Sequence, residues 1–289
     1  MSKRLLVLLT AVFLAFAAFV AVGCGSDSDS GSGSSGGGSG KTVDVDLQKT
    51  FDATKAKGSA EFMAKMTIKT DKETMGLGIT GKADFKANKW DLSFDAAKLL
   101  ASAGVPGSGD GNVRIIVDGK KLYAQIPAIQ GLTLPGGAKW IAVDLSKANI
   151  TSTKPEDSGQ QTVKMTEVGT ETVDGVSVRH LRAESTLREL LDKVPADQKK
   201  QAEDQLEKSA DAKKALDEKA TIEMWIDNDG ALYRLKADTS ADDGALSIDI
   251  QMSNFGTSVS VSPPPAGETF DGTDLLKGVA SQYGVGKTS

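Results

Sequence analysis

Cys24 is the only cysteine in 289 residues, and its setting gives it a definite chemistry. Lys3 and Arg4 precede an apolar run from Leu5 to Val22, and Ala21-Val22-Gly23 leads directly into Cys24. A positive start, an apolar middle and small residues before a cut are the parts of a secretory signal peptide. A cysteine just after the cut predicts a lipoprotein: its thiolate takes a diacylglycerol, residues 1–23 are removed, and the mature chain begins at lipidated Cys24. The alternative is an uncleaved anchor, since about 18 apolar residues can span a bilayer with Lys3 and Arg4 on the inner side. Both readings put the remaining chain on the extracytoplasmic face of the cell membrane.

Other chemistry-like patterns lack the context that their chemistry needs. Gly76-Leu77-Gly78-Ile79-Thr80-Gly81 matches a dinucleotide fingerprint letter for letter, but it lies inside a run of period two. No helix follows whose N-terminus could meet a pyrophosphate. Gly284-Val285-Gly286-Lys287-Thr288 resembles the end of a phosphate loop, yet Ser281 stands where its first glycine belongs. Asp227-Asn228-Asp229-Gly230 hints at a calcium loop, but Trp225 would occupy the first ligand position, so a hairpin turn is the better reading. His180 is the sole histidine. Placed in a strand with Val176, Val178 and Arg182, it reads as a hydrogen-bonded structural residue and not as a base. No carboxylate pair stands out among 39 acids. No catalytic, cofactor-binding or metal-ligating residue is expected, and no enzymatic activity.

Composition narrows the partners. Net charge is −5, and it becomes −7 without residues 1–23, which carry Lys3 and Arg4 and no acid. That balance disfavours nucleic acid, whose phosphates need clustered cations. Without a second cysteine the exported part has no disulfide and must be stabilised by its core alone.

The elements follow from hydropathy patterning. Residues 24–40 comprise the lipidated cysteine and a Gly/Ser tether with an r.m.s. reach of roughly 20–25 Å. A short amphipathic helix is expected over residues 42–57, ended by Gly58. Phe62, Ala64, Met66 and Ile68 alternate with polar residues, as do Met75, Leu77, Ile79, Gly81, Ala83 and Phe85 across a polar turn. This is an antiparallel hairpin with one apolar and one wet face. Met63, Met66, Met75, Gly78, Met224 and Met252 are assigned to the apolar faces. Trp90, Leu92 and Phe94 add a strand; others follow near 113–117, 122–126, 139–145, 162–168 and 176–183. A helical insertion is expected near 186–219, with a further short helix at 95–103. Strands resume through Ile222, Tyr233 and Leu246–Met252, closing with Val259 and Val261. About eleven strands without a βαβ rhythm predict one α+β domain over 41–289, dominated by an antiparallel sheet.

Several of these segments carry a family likeness. Val117-Asp118-Gly119-Lys120-Lys121-Leu122-Tyr123-Ala124, then Trp140-Ile141-Ala142-Val143, resemble the "VDG-x-LYA … W" segment of the actinobacterial LppX/LprA/LprF/LprG lipoproteins. Val173-Asp174-Gly175-Val176, Met224-Trp225-Ile226-Asp227 and Ser253-Asn254-Phe255-Gly256 follow in that family's order. The resemblance implies a LolA/LolB-like fold: a strongly curved antiparallel sheet, an incomplete barrel, with helices packed on its concave face. It also implies an apolar cavity for acylated lipids or glycolipids and a role in carrying them through the cell envelope. By alternation, the inward candidates for such a cavity are Phe62, Met66, Ile68, Leu77, Ile79, Ile115, Leu122 and Ile248. The alternative is an envelope sensing or scaffolding module of the same fold, with a filled core and no cargo. For the anchor itself, Cys24→Ala should abolish incorporation of radiolabelled fatty acid and leave the signal peptide uncut, as read by labelling and intact mass; continued labelling would exclude Cys24 as the acylated residue.

Overall fold

The computed structural model describes residues 40–70, 74–95, 97, 111–125, 134–147, 162–186, 188–189, 217–241 and 244–274. Cys24, the tether and nearly all of the expected helices at 95–103 and 186–219 lie outside them. Among the described residues, thirteen strands run in chain order as β1 (Thr42–Asp46), β2 (Ser59–Thr70), β3 (Thr74–Asp84), β4 (Lys89–Asp95), β5 (Asn112–Asp118), β6 (Lys121–Gln125) and β7 (Trp140–Asp144), then β8 (Thr162–Val173), β9 (Val176–Thr186), β10 (Lys219–Ile226), β11 (Leu232–Ala241), β12 (Gly244–Ser253) and β13 (Thr269–Asp271). Their order in the sheet is β1-β8-β9-β10-β11-β12-β2-β3-β4-β5-β6-β7-β13, so β1 and β13 are its edges. Pairing is antiparallel in register after register, whereas β13 lies parallel to β7.

Two expectations change at the ends of the sheet. The helix expected from residue 42 begins five residues later, as α1 (Leu47–Ala56). Thr42, Val43 and Val45 are β-branched and suit a pleated edge. Asp46 then caps the helix, accepting from the Lys49 backbone N–H at 3.1 Å. Val259 and Val261 do not form a strand: residues 257–265 are irregular, and the closing strand is β13.

The described residues group into two compact units. One is drawn from Met1–Lys57, Lys65–Gly76 and Thr153–Ser253, the other from Gly58–Ala64, Leu77–Ser152 and Asn254–Ser289. In the first unit, Val45, Val163, Met165, Leu181, Ala183, Met224, Ile226 and Leu232 form a closed core, with Leu47 of α1 packed on it. The buried residues of α1 itself are two threonines, Thr50 and Thr54. Polar contacts therefore seat this helix. The Thr54 hydroxyl donates to the Thr50 carbonyl at 2.7 Å and accepts from the Leu232 backbone N–H at 2.9 Å.

Just beyond α1, the Lys57 ammonium sits 2.8 Å from Asp227 and 2.9 Å from Asp229. The Asp227-Asn228-Asp229-Gly230 segment is the expected hairpin turn: Asp227 is only 6% exposed and accepts from the backbone N–H groups of Asp229 and Ala231. The positive charge in this turn is supplied by a lysine from the end of the helix. Its hydrogen bond to Asp227, then that to Asp229, hold Lys57 well above the ordinary lysine range, against the opposing effect of burial. A raised lysine stabilises the fold below its ordinary range and loses that contribution as pH rises through the raised value. Lys57→Met should therefore lower the unfolding free energy near neutral pH by about 1–2 kcal/mol, by stranding a buried carboxylate. Thermal melts of the two proteins should converge at strongly alkaline pH; equal stability at neutral pH would refute the contact.

Candidate functional site

Alternation and register assemble the candidate residues in each unit separately. In the first unit, Ile68 and Leu246 are buried together, with Met66, Met75 and Ile248 packed around them. Three candidates, Met66, Ile68 and Ile248, thus meet in one small cluster.

The other five, Phe62, Leu77, Ile79, Ile115 and Leu122, belong to the second unit, where cross-strand pairing lays apolar side chains in rows. One row runs Ile79, Phe94, Val113. The next starts at Gly81 and runs Leu92, Ile115, Ala124, Ile141, Phe270. A third runs Ala83, Trp90, Val117, Leu122, Val143. Ala83, Val117 and Val143 are buried, so the third row is largely closed. Every side chain of the first row is half-buried, as is every side chain after Gly81 in the second. Leu77 is half-buried too. The face is therefore graded, sealed along the row of Leu122 and partly open along the rows of Ile79 and Ile115.

The opposite face of the same strands is covered in another way. Ile116, Tyr123, Trp140 and Val261 form a buried cluster, with Ala142 and Val259 packed against it. The irregular stretch 257–265 lies there like a strap, fixed at its start where the Gly256 N–H donates to the Ser59 carbonyl at 3.0 Å. Arg114 and Asp91 add a two-point ion pair, each contact 2.8 Å. Both faces of β5 are thus apolar in part, which the alternation pattern of residues 113–117 could not distinguish.

Two assignments to the apolar faces are corrected. Met63 is 55% exposed, on the side of β2 opposite Phe62. Gly78 is exposed and alternates away from Leu77 and Ile79, and a Cβ there would meet nothing within 4 Å. Gly81 is the crowded glycine. A Cβ at this position would come within 2.6 Å of the Phe62 ring and 2.7 Å of the Asp91 carbonyl. The missing side chain lets Phe62 lie across β3 and meet Trp90 edge to face, with centroids 6.0 Å apart. Close approach of an aromatic side chain, as well as any bending of the strand, accounts for glycine here.

No cluster of three or more histidine, cysteine or carboxylate side chains with metal-binding geometry occurs among the described residues. None of the described helices is long and apolar enough to cross a membrane. What the second unit offers is an apolar, partly open surface with aromatic side chains at its deep end. Gly81→Ala should destabilise the protein by about 1–3 kcal/mol, because the Phe62 ring or the β4 backbone must shift, whereas Gly78→Ala should change stability little; thermal melts that rank them the other way would contradict this packing.

No family model matches the chain, and no curated protein matches it. Solved structures do. The chain is similar to the lipoprotein LppX of Mycobacterium tuberculosis, at 17% identity and TM-score 0.41, over 75% of this chain and 96% of that one. It is similar to LprF of Mycobacterium bovis, at 16% identity and TM-score 0.36, over 76% and 96%. It is also similar to MucB from its complex with MucA, at 13% identity and TM-score 0.29, over 76% of this chain but only 59% of that one. LppX and LprF carry the names of the lipoprotein family that the sequence motifs resemble, and it is to these structures that the chain is similar.

Proposed function

We propose that this protein is a membrane-tethered, non-enzymatic carrier that binds acylated lipid or glycolipid and moves it within the cell envelope. The observation that supports this most directly is the graded apolar face of the second unit. Its rows through Ile79 and Ile115 are half-buried, and its row through Leu122 is largely closed. An acyl chain needs no polar partner. Each methylene withdrawn from water contributes about 0.8 kcal/mol, so ten methylenes contribute roughly 8 kcal/mol, against about 1 kcal/mol for one hydrogen bond to a headgroup. A surface of Leu, Ile, Val, Phe and Trp suffices for such a ligand.

In this reading Leu77, Ile79 and Ile115 contact the chain, with Leu122 and Phe62 forming the floor. Met66, Ile68 and Ile248 line apolar surface in the first unit, where methionine adapts to irregular ligands. A diacylglycerol on Cys24 would hold the protein on the extracytoplasmic side of the cell membrane, close to its cargo.

Native mass spectrometry of a form beginning at Lys41 tests the proposal. Diacyl lipid should co-purify with it, and Ile79→Lys or Ile115→Lys should lower the retained lipid at least about tenfold, since a poorly solvated ammonium disfavours binding by more than 1.4 kcal/mol. Gly78→Trp, on the other side of β3, should leave the lipid bound. A lipid-free protein that also fails to move labelled lipid between vesicles would end the carrier reading and favour a scaffold with a filled core.

A further inference from the structure

The apolar rows of the second unit end in three aromatic rings. The Phe62 ring of β2 lies over Gly81 of β3, in the space that a side chain there would fill. It meets Trp90 of β4 edge to face, with centroids 6.0 Å apart and planes at 64°. Trp90 in turn meets Phe85, just after β3, at 5.6 Å and 66°. The Trp90 indole N–H donates to Asn88 Oδ1 at 3.4 Å, which restrains the middle ring. Phe62 is only 8% exposed, and behind the rings Ala83 and Val117 are buried as well. In front of them the surface is apolar and half-buried. It runs from Leu77 through Ile79, Phe94 and Val113 to Leu92 and Ile115, across β3, β4 and β5.

Closely packed rings yield little to an inserted group, because moving one forces its neighbours to move. We propose that Phe62, Trp90 and Phe85 are the stop against which the terminal methyl of an acyl chain abuts, and that they set the length of chain the protein buries. This rests on the lipid-carrier reading and adds an orientation and a length to it. The terminal methyl lies at Gly81, and the headgroup lies beyond Leu77. Leu77 and Gly81 are four residues apart on one strand, about 13 Å at roughly 3.3 Å per residue. An extended chain advances about 1.1–1.2 Å per bond, since three backbone bonds span 3.3–3.6 Å. The path therefore takes about eleven carbons. Each methylene up to that depth raises affinity about fourfold. Further methylenes stay on the headgroup side, and the gain at the stop ends.

Photolabelling of the full-length protein in phosphatidylcholine vesicles tests the stop. The probes are saturated single-chain acyl glycerols that carry a diazirine either at the terminal carbon or beside the carbonyl. Terminal-carbon probes should label Phe62, Trp90 or Leu92, with a yield that rises to about eleven carbons and is then level. Carbonyl-side probes should label Leu77 or Ile79. Leu92 lies opposite Gly81 on β4, so Leu92→Trp brings the stop forward. Terminal labelling should then move to Ile79 and Phe94, with a loss of at least about tenfold at Phe62. Phe62→Leu trims the stop, and terminal labelling should reach Ala83 or Val117. In the wild type alone, terminal probes on Leu77 with carbonyl-side probes on Phe62 would overturn the proposal. So would a terminal pattern that neither substitution moves; in both cases lipid still binds and the carrier reading stands. No labelling of any of these residues at any chain length would end both.

Discussion

One constraint governs every side chain in these strands: successive residues point to opposite faces, so a single extra residue inverts all that follow. The register of β8 on β9 shifts between Glu167 and Gly169. Before the shift, Val163, Met165 and Glu167 are buried on the core side, where Glu167 lies opposite Leu181. After it, Gly169 lies opposite His180 and Glu171 opposite Val178. Glu171 stands an even number of residues after Glu167, yet it emerges on the other face, beside His180 and Trp225. A second shift, between Trp225 and Ile226 on β10, lets Leu232 join the core although Arg234, two residues on, pairs with Asp249 on the far side. Bulges thus build the charged cluster and complete the core together.

The two units treat apolar surface differently. In the first, the core is closed and α1 is seated by the Thr54 hydroxyl and the Lys57 ammonium more than by large apolar side chains. A ten-residue helix has little stability alone, and these contacts to the β10–β11 connection hold it in place. In the second unit, the side of β5–β7 carrying Ile116 and Trp140 is sealed by Val259 and Val261, and the reverse side is left graded. With one side sealed by an irregular strap, the reverse side keeps rows of half-buried apolar side chains. This asymmetry gives the lipid-binding proposal its physical basis.

Apolar transfer free energy is non-directional and scales with area, so a carrier gains affinity from shape and exposure where an enzyme requires atoms placed to fractions of an ångström. Several charged groups among the described residues make folding contacts. Lys57 ties a helix to a turn, Arg114 and Asp91 bridge neighbouring strands, and Glu171, His180 and Glu223 span three.

Much of the framework was legible in the sequence because period-two alternation is a local property. Phe62 to Ile68, Met75 to Phe85 and Leu246 to Met252 announce strands, and Asp174-Gly175 marks its turn, where both residues have the positive φ of a primed hairpin. Their apolar sides follow from the same pattern, so Leu77, Ile79, Ile115 and Leu122 were nameable. Other features depended on neighbours distant in the chain. Only pairing in space shows that Gly81 accommodates the Phe62 ring, that Val261 covers Trp140 and not the reverse side of β5, and that the last strand is Thr269–Asp271. The sequence alone also determined that there is one histidine and, with a single cysteine, that no disulfide can form within the chain. Only the tertiary structure brought Glu171 and Glu223 to the two nitrogens of that histidine, because the bulge that turns Glu171 to that face is fixed by the register of β8 on β9.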